Sequence, residues 1–232
     1  MTGLQLGGLT ARYELSALQV SQLEEILRTL EADEHAPTAV RSATQALDIH
    51  LADSLVALEL DQIATATTIA DIGAGAGFPG LPLAVALPAA RVALVESQRR
   101  KCDFLMGIAS TAGVENTTVV CARAEDWREG LESNDTVVAR ALAPQPVVLE
   151  YAAPLLRPGG SLVDWRGRRD ADEEGAALRA AEILGLELAE IRRVEPFEGA
   201  TDRHVHVFSK VAATPERFPR RAGMARKRPL GG

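Results

Sequence analysis

The stretch "IADIGAGAGFPGLPLAVALP", residues 69–88, sets Gly73, Gly75, Gly77 and Gly80 between two apolar runs. Four glycines, an acid and a proline at one turn imply that something approaches the backbone closely there. Glycine accepts positive φ without steric cost and leaves no side chain in the way. The run that enters this turn, 67–73, is short and β-branched, and the run that leaves it, 80–88, reads as a helix.

Outward from this turn the pattern repeats. Short apolar runs at 91–97, 117–127, 135–142 and 161–167 alternate with helical segments near 98–112, 144–157 and 171–185. Strand, helix, strand in repetition predicts an α/β fold with a doubly wound, mostly parallel, Rossmann-like sheet. The last two runs, "LELAEIRRVEPF" and "DRHVHVFSK", follow one another without a helix and predict an antiparallel edge. Upstream, "SALQVSQLEEILRTLE" (16–31) spaces Leu18, Leu23, Ile26, Leu27 and Leu30 along one helical face, with Ser16 as N-cap. A second helix is expected over about Thr38 to Leu60. The organisation expected is therefore an N-terminal helical extension (1–60), the sheet domain (61–212) and a C-terminal tail (213–232).

A glycine-rich strand-to-helix turn serves NAD, FAD and other nucleotides alike, and it also occurs with nothing bound. Three details narrow the choice. The spacing is Gly-Ala-Gly-Ala-Gly, an imperfect pyrophosphate fingerprint. Asp71 places a carboxylate before the first glycine, unfavourable for a diphosphate and suited to an ammonium group. Glu96 ends the second strand about twenty residues on, where an acid hydrogen-bonds ribose hydroxyls. A ligand with a ribose, a cationic amino-acid portion and no phosphate satisfies all three, and S-adenosylmethionine is such a ligand. "CARAEDW" then brings Ala124, Glu125 and Asp126 to the next carboxyl edge, within reach of an adenine amino group or, equally, as surface residues.

Charge is distributed unevenly. The chain carries −7 overall, but from Arg217 onward it holds six cations and no acid, which leaves −13 for the rest. Such a tail is either a solvated, disordered end or an arm that follows a polyanion. Cys102 and Cys121 show neither a disulfide framework nor metal spacing and read as small core residues or bystander thiols. The four histidines, His35, His50, His204 and His206, are too scattered for a ligand set, so no metal site is expected. With no signal-like start and no run near the roughly 20 apolar residues of a membrane span, a cytoplasmic protein without membrane contact is the expectation.

At these residues the sequence resembles a family, the bacterial 16S ribosomal RNA guanine-N7 methyltransferases, also called glucose-inhibited division protein B. "DIGAGAGFPGLPLA", "HLADSL" (His50–Leu55), "LVESQRRKCDFL", "VVARALAP" and the tail "FPRRAGMARKRPLG" are each similar to a block of that family, and the Pro-Gly that ends the first is more specific than its glycines. The resemblance implies a class I S-adenosylmethionine-dependent fold and cofactor contacts from Gly73, Phe78, Ala124, Glu125 and Arg140. It also implies a guanine of 16S ribosomal RNA as substrate, in the small subunit or its precursor; a monomer with no DNA partner is expected besides. The chain departs from the family's pattern at "APTAVRS", at Arg166-Gly167 and at Ile49.

Guanine N7 offers a lone pair and no proton, so alignment can supply most of the catalysis, and no certain catalytic residue is expected. Arg140, His50 and Asp53 are the positioning candidates; His50 and Asp53 lie three apart on one helical face, where a packing network is an equal alternative. Arg99, Arg100 and Lys101, then Arg166, Arg168 and Arg169, then Arg220, Arg221, Arg226, Lys227 and Arg228 form the candidate RNA footprint, each cluster alone being an ordinary solvated face. Competing readings are a small-molecule methyltransferase, a non-catalytic RNA-binding assembly factor, and a nicotinamide oxidoreductase, the last opposed by the glycine spacing and Asp71.

Overall fold

The computed structural model describes residues 6–34, 36–38 and 43–232. Two helices open the chain, α1 (Gly7–Arg12) and α2 (Ala17–Ala32). Ser16 caps α2 through a reciprocal box with Gln19, and the Gln19 amide also donates to the carbonyls of Val85 and Ala86 across the fold. Leu23, Ile26, Leu27 and Leu30 are buried as expected, but Leu18 is 68% exposed. The correction is geometric: at 3.6 residues per turn Leu18 stands roughly 140° around the helix from Leu23, off the apolar stripe.

The helix expected over about Thr38 to Leu60 falls partly on residues 39–42, outside the described ones; from Ala43 to Glu59 the backbone stays helical without a break, but its hydrogen-bond pattern changes along the way. The chain runs through α3 (Ala43–Ala46), a π-helical turn (Leu47–Ala52), α4 (Asp53–Leu55), a 3-10 turn (Val56–Glu59) and α5 (Asp61–Ala64). The wider π turn carries His50 into the interior, and α4 continues it with Asp53 and Ser54, all three buried.

The sheet follows: β1 (Thr68–Ile72), α6 (Gly80–Ala86), β2 (Arg91–Val95), α7 (Arg99–Thr111), β3 (Thr117–Val120), β4 (Asn134–Arg140), α8 (Gln145–Ala152), β5 (Leu156–Arg166), α9 (Ala171–Leu184), β6 (Leu186–Arg193) and β7 (His204–Lys210). Its strand order is β3-β2-β1-β4-β5-β7-β6, with β7 antiparallel to both neighbours. The chain winds one way from β1 to β3 and the other way from β4, so the carboxyl ends of β1 and β4 part and leave a crevice. Central strands buried on both faces read as continuous apolar runs, which is why Ile69, Ile72, Val137 and Val138 were legible. One core layer packs α2, α6 and α7 on the sheet through Leu23, Leu81, Leu105 and Val138; the other packs α8 and α9 through Val148, Ala177, Ala181 and Leu162.

Two further expectations are corrected. Cys102 and Cys121 are bonded as a disulfide with Cα atoms 5.8 Å apart, joining the first turn of α7 to the residue after β3. Parallel pairing of β2 with β3 creates that proximity, and a separation of 19 residues does not reveal it. The tail is not a free arm. It folds back on α8 and α9 and ends in a short helix, α10 (Met224–Lys227), with Phe218 and Ala225 buried. Arg220, itself half-buried, forks onto the Glu150 carboxylate, which is only 2% exposed, so its guanidinium is committed to a buried acid rather than to RNA.

Asp71 also departs from its expected role. Its carboxylate is 1% exposed and accepts the Gly80 N–H at 2.8 Å, bracing the start of α6 instead of meeting a ligand. A Cβ on Gly80 would lie 2.7 Å from Asp71 Oδ2, so glycine is required for this approach. Burial pushes the Asp71 carboxyl up from 3.8 to about 7, although the Gly80 hydrogen bond opposes the shift.

Removing Arg220 strands a buried carboxylate, so Arg220→Ala is expected to cost about 3–5 kcal/mol in urea denaturation; a loss below about 1 kcal/mol would contradict the packed tail. For Asp71 the native state binds its proton more tightly than the unfolded chain does. Its contribution is full below about pH 3.8 and fades as pH rises toward 7. Asp71→Asn should therefore gain stability relative to wild type between about pH 4 and pH 7, and a pH-independent difference would contradict the burial assigned to this group.

Candidate active site

The glycine turn occupies the crevice beyond β1. Gly73, Gly75 and Gly77 all have positive φ, at 73°, 58° and 96°. Gly73 lies against the β4 loop, where a Cβ would meet Leu142 at 2.4 Å. A Cβ on Gly75 would meet only the Gly73 carbonyl, at 3.7 Å, and its amide donates to Glu96 Oε2 at 3.2 Å. Gly77 turns inward, toward Leu81 and Leu105, and serves packing. The other Glu96 oxygen accepts the Gln98 N–H at 2.8 Å, and Lys101 Nζ stands 4.0 Å from Oε2. Glu96, only 5% exposed, is thus held from both sides by backbone amides.

A cavity of about 480 Å³ opens between these elements, lined by Gly73, Glu96, Ser97, Ala124, Glu125, Leu142, Tyr151 and Arg226 among others. Of the residues expected to meet a cofactor, Gly73, Glu96, Ala124 and Glu125 line it; Asp71, Gly75, Gly77, Phe78 and Arg140 do not, and Gly75 touches it only through the Glu96 carboxylate that its amide holds. Glu125 Oε1 accepts the amide of Gly223, and the Arg226 guanidinium donates to the Leu142 carbonyl at 2.9 Å. Arg226 therefore borders the cavity. Expected on RNA, Arg226 reaches the cavity only because the tail folds back, while Tyr151, which no motif marked, reaches it from α8.

Beside the cavity wall lies a second, buried cluster. Arg140, the residue before Ala141 of the wall, sends NH1 to Asp53 Oδ2 at 2.9 Å and to the Ile49 carbonyl at 2.8 Å. His50 stacks on Phe78 with centroids 4.3 Å apart, and Arg140 lies 5.8 Å over the same ring. Trp165 Nε1 donates to the Asp53 carbonyl at 2.7 Å. Burial first, and then the Arg140 charge, lower His50 to about 4, so the imidazole is neutral near pH 7. Arg140 can only donate and faces Nδ1 at 3.4 Å, which puts the ring proton on Nε2, toward Thr38 Oγ1 at 2.9 Å. Arg203, not singled out in the sequence, stands 3.8 Å from Asp53 Oδ1; neither that oxygen nor Arg203 Nε has a hydrogen bond.

The expected RNA footprint divides. Arg99 pairs with Asp103 on the α7 surface, Arg100 and Arg168 are exposed, and Arg221, Lys227 and Arg228 are exposed on the tail. Arg166 is corrected: its guanidinium is spent on Asp164, Glu173 and the Ala143 carbonyl, at 2.7, 3.2 and 3.1 Å. It belongs to a polar network with Gln145 and His206 beneath the β4–α8 loop. Among the described residues no cluster of three or more His, Cys, Asp or Glu could hold a metal, and no helix is long and apolar enough to cross a membrane.

A family model described as GidB, rRNA small subunit methyltransferase G, matches residues 19–206. The chain is 39% identical over 221 residues to the ribosomal RNA small subunit methyltransferase G of Chloroflexus aggregans, covering 93% of this chain and 92% of that one. The Synechococcus elongatus protein of the same name is 38% identical over 198 residues, covering 84% and 82%. Among solved structures, the S-adenosylmethionine-dependent methyltransferase SibL aligns with a TM-score of 0.57 at 16% identity, over 84% of this chain and 70% of that one. A SAM-dependent methyltransferase from Aquifex aeolicus aligns with a TM-score of 0.55 at 14% identity, over 80% and 97%. At such identities the likeness is one of fold. The family match and these relatives, which span nearly the whole length, place the chain in the GidB family, the rRNA small subunit methyltransferases G.

Proposed function

We propose that the protein transfers the methyl group of S-adenosylmethionine to N7 of a guanine in 16S ribosomal RNA, acting as a cytoplasmic monomer on the small subunit or its precursor. The observation that carries the reading is the cavity at the switch point, where Glu96 is fixed by the amides of Gly75 and Gln98 and a side chain on Gly73 would find no room. A carboxylate locked in this way offers two acceptors to a ribose diol at little further entropic cost. The cavity's volume, about 480 Å³, suits a nucleoside carrying a short amino-acid chain.

The bound cofactor supplies a methyl group on a sulfonium, already activated for transfer. The chain's own residues then have little proton chemistry to perform, because guanine N7 carries no proton to remove. His50 is held neutral and stacked, so it adds no positive charge beside a base that becomes cationic. Arg140 is anchored to Asp53 and Ile49, away from the cavity, which fixes the start of the Ala141–Leu142 wall. Orientation is the remaining source of rate, worth up to roughly 7–11 kcal/mol where alignment is complete. Arg100, Arg168, Arg221, Lys227 and Arg228 present exposed positive charge that suits RNA phosphates, and binding should weaken with salt accordingly.

Glu96→Ala should weaken S-adenosylmethionine binding by about 1–3 kcal/mol in calorimetry. Gly75→Val should abolish that binding in a folded protein, because a β-branched residue resists φ near 58°. Unchanged affinity in both variants would remove the cofactor from this cavity. Asp53→Asn should leave cofactor affinity within about twofold while lowering kcat on small subunits by roughly tenfold or more, since a small misplacement of the wall costs alignment. A rate equal to wild type would make the Asp53–Arg140 pair purely structural.

A further inference from the structure

The C-terminal segment carries cations of two kinds. Arg221, Lys227 and Arg228 are exposed, as befits a surface that meets a polyanion. Arg226 is exposed as well, but its guanidinium turns back, donates to the Leu142 carbonyl at 2.9 Å, interacts with the Tyr151 hydroxyl and borders the cavity. Three residues earlier, the Gly223 amide donates to Glu125 Oε1 at 2.9 Å, and Glu125 lines the same cavity. The segment is anchored on either side of these contacts. Phe218 and Ala225 are buried, Arg220 clamps Glu150, and Arg179 donates to the Gly231 carbonyl at 2.8 Å. These ties span 52 to 98 residues in sequence, so the segment is bonded to the sheet domain at several independent points.

We propose that residues 217–232 form a wall of the S-adenosylmethionine site, with Arg226 as a contact residue for the adenine and the Gly223 amide as the group that positions Glu125. The inference rests on the placement of the cofactor in this cavity. Within it, Glu96 at the end of β2 takes the ribose, so the base lies outward toward the end of β3, where Ala124 and Glu125 stand. Arg226 faces that end, against Tyr151 of α8. A guanidinium has five N–H donors, and the contacts to Leu142 and Tyr151 leave some of them for the cavity. Adenine ring nitrogens are acceptors, and a guanidinium can also stack on the purine face. Glu125, whose carboxylate is fixed by the Gly223 amide, is the complementary acceptor for the adenine amino group. Donor and acceptor on opposite edges would read adenine against other bases.

The full-length protein with Arg226→Ala or Arg226→Lys tests this, by calorimetric titration with S-adenosylmethionine, with adenosine and with methionine, and by melting of each variant. Arg226→Ala should weaken S-adenosylmethionine and adenosine alike by tenfold or more, spare methionine, and melt within a few degrees of wild type. Arg226→Lys should recover only part of the loss, because it keeps the charge and not the fork. Affinity within twofold of wild type for Arg226→Ala, in a preparation where Glu96→Ala does lose affinity, would overturn the proposal and leave the cavity reading intact. A loss confined to S-adenosylmethionine with adenosine unaffected would overturn the adenine assignment. If neither Arg226→Ala nor Glu96→Ala changes affinity, both this proposal and the placement of the cofactor fail.

Discussion

Two carboxylates grip one turn, and the rest of the site depends on that grip. Asp71, inside the sheet, takes the amide of Gly80 where α6 begins, and Glu96, at the neighbouring strand's end, takes the amide of Gly75. The turn between is thereby held open at a fixed distance from β2, with its glycines at backbone angles that other residues resist. Each acid does a different job because its surroundings differ. Asp71 is sealed in the core, with its carboxyl pushed up to about 7, while Glu96 borders the cavity and keeps both oxygens on backbone donors. A ligand arriving at such a turn finds the acceptors already oriented, which is the form of preorganisation that turns contacts into affinity.

The same logic extends to the neighbouring cluster. Asp53 binds Arg140, Arg140 reaches Ile49 and His50, and His50 stacks on Phe78, so one buried network ties the irregular N-terminal helices to both the glycine turn and the end of β4. The π turn at 47–52 exists within this tie: it carries His50 inward, and α4 directly after it brings Asp53. Nothing in the cluster is arranged for moving protons, and the proposed reaction has none to move at the nucleophile.

Much of the sheet could be read in the sequence because strands buried on both faces have no alternative to continuous apolar runs. The crevice was readable because close backbone approach admits only glycine. Most of what escaped reading depended on partners that only the assembled fold brings into contact. The aim of Asp71 depended on where α6 would start. Arg166 and Arg220 looked like solvated cations until Asp164 and Glu150 came within reach. Cys102 met Cys121 only through the pairing of β2 with β3. Leu18 failed for a local reason, since one residue early in a helix can be apolar and still lie off the stripe. Charge counting described the tail's composition and missed its anchor, because burial of Phe218 and Glu150 is a property of the assembled surface.

The central claim is a methyl group moved from S-adenosylmethionine to guanine N7 of small-subunit RNA. The most direct measurement uses cofactor labelled in its methyl group, small subunits that lack the modification, and mapping of the product by strand scission at N7-methylated guanine. Label is expected at one guanine of 16S ribosomal RNA, rising toward one methyl per subunit and absent when Gly75→Val replaces wild type. Label on another atom or on no RNA, from protein that binds the cofactor, would contradict it.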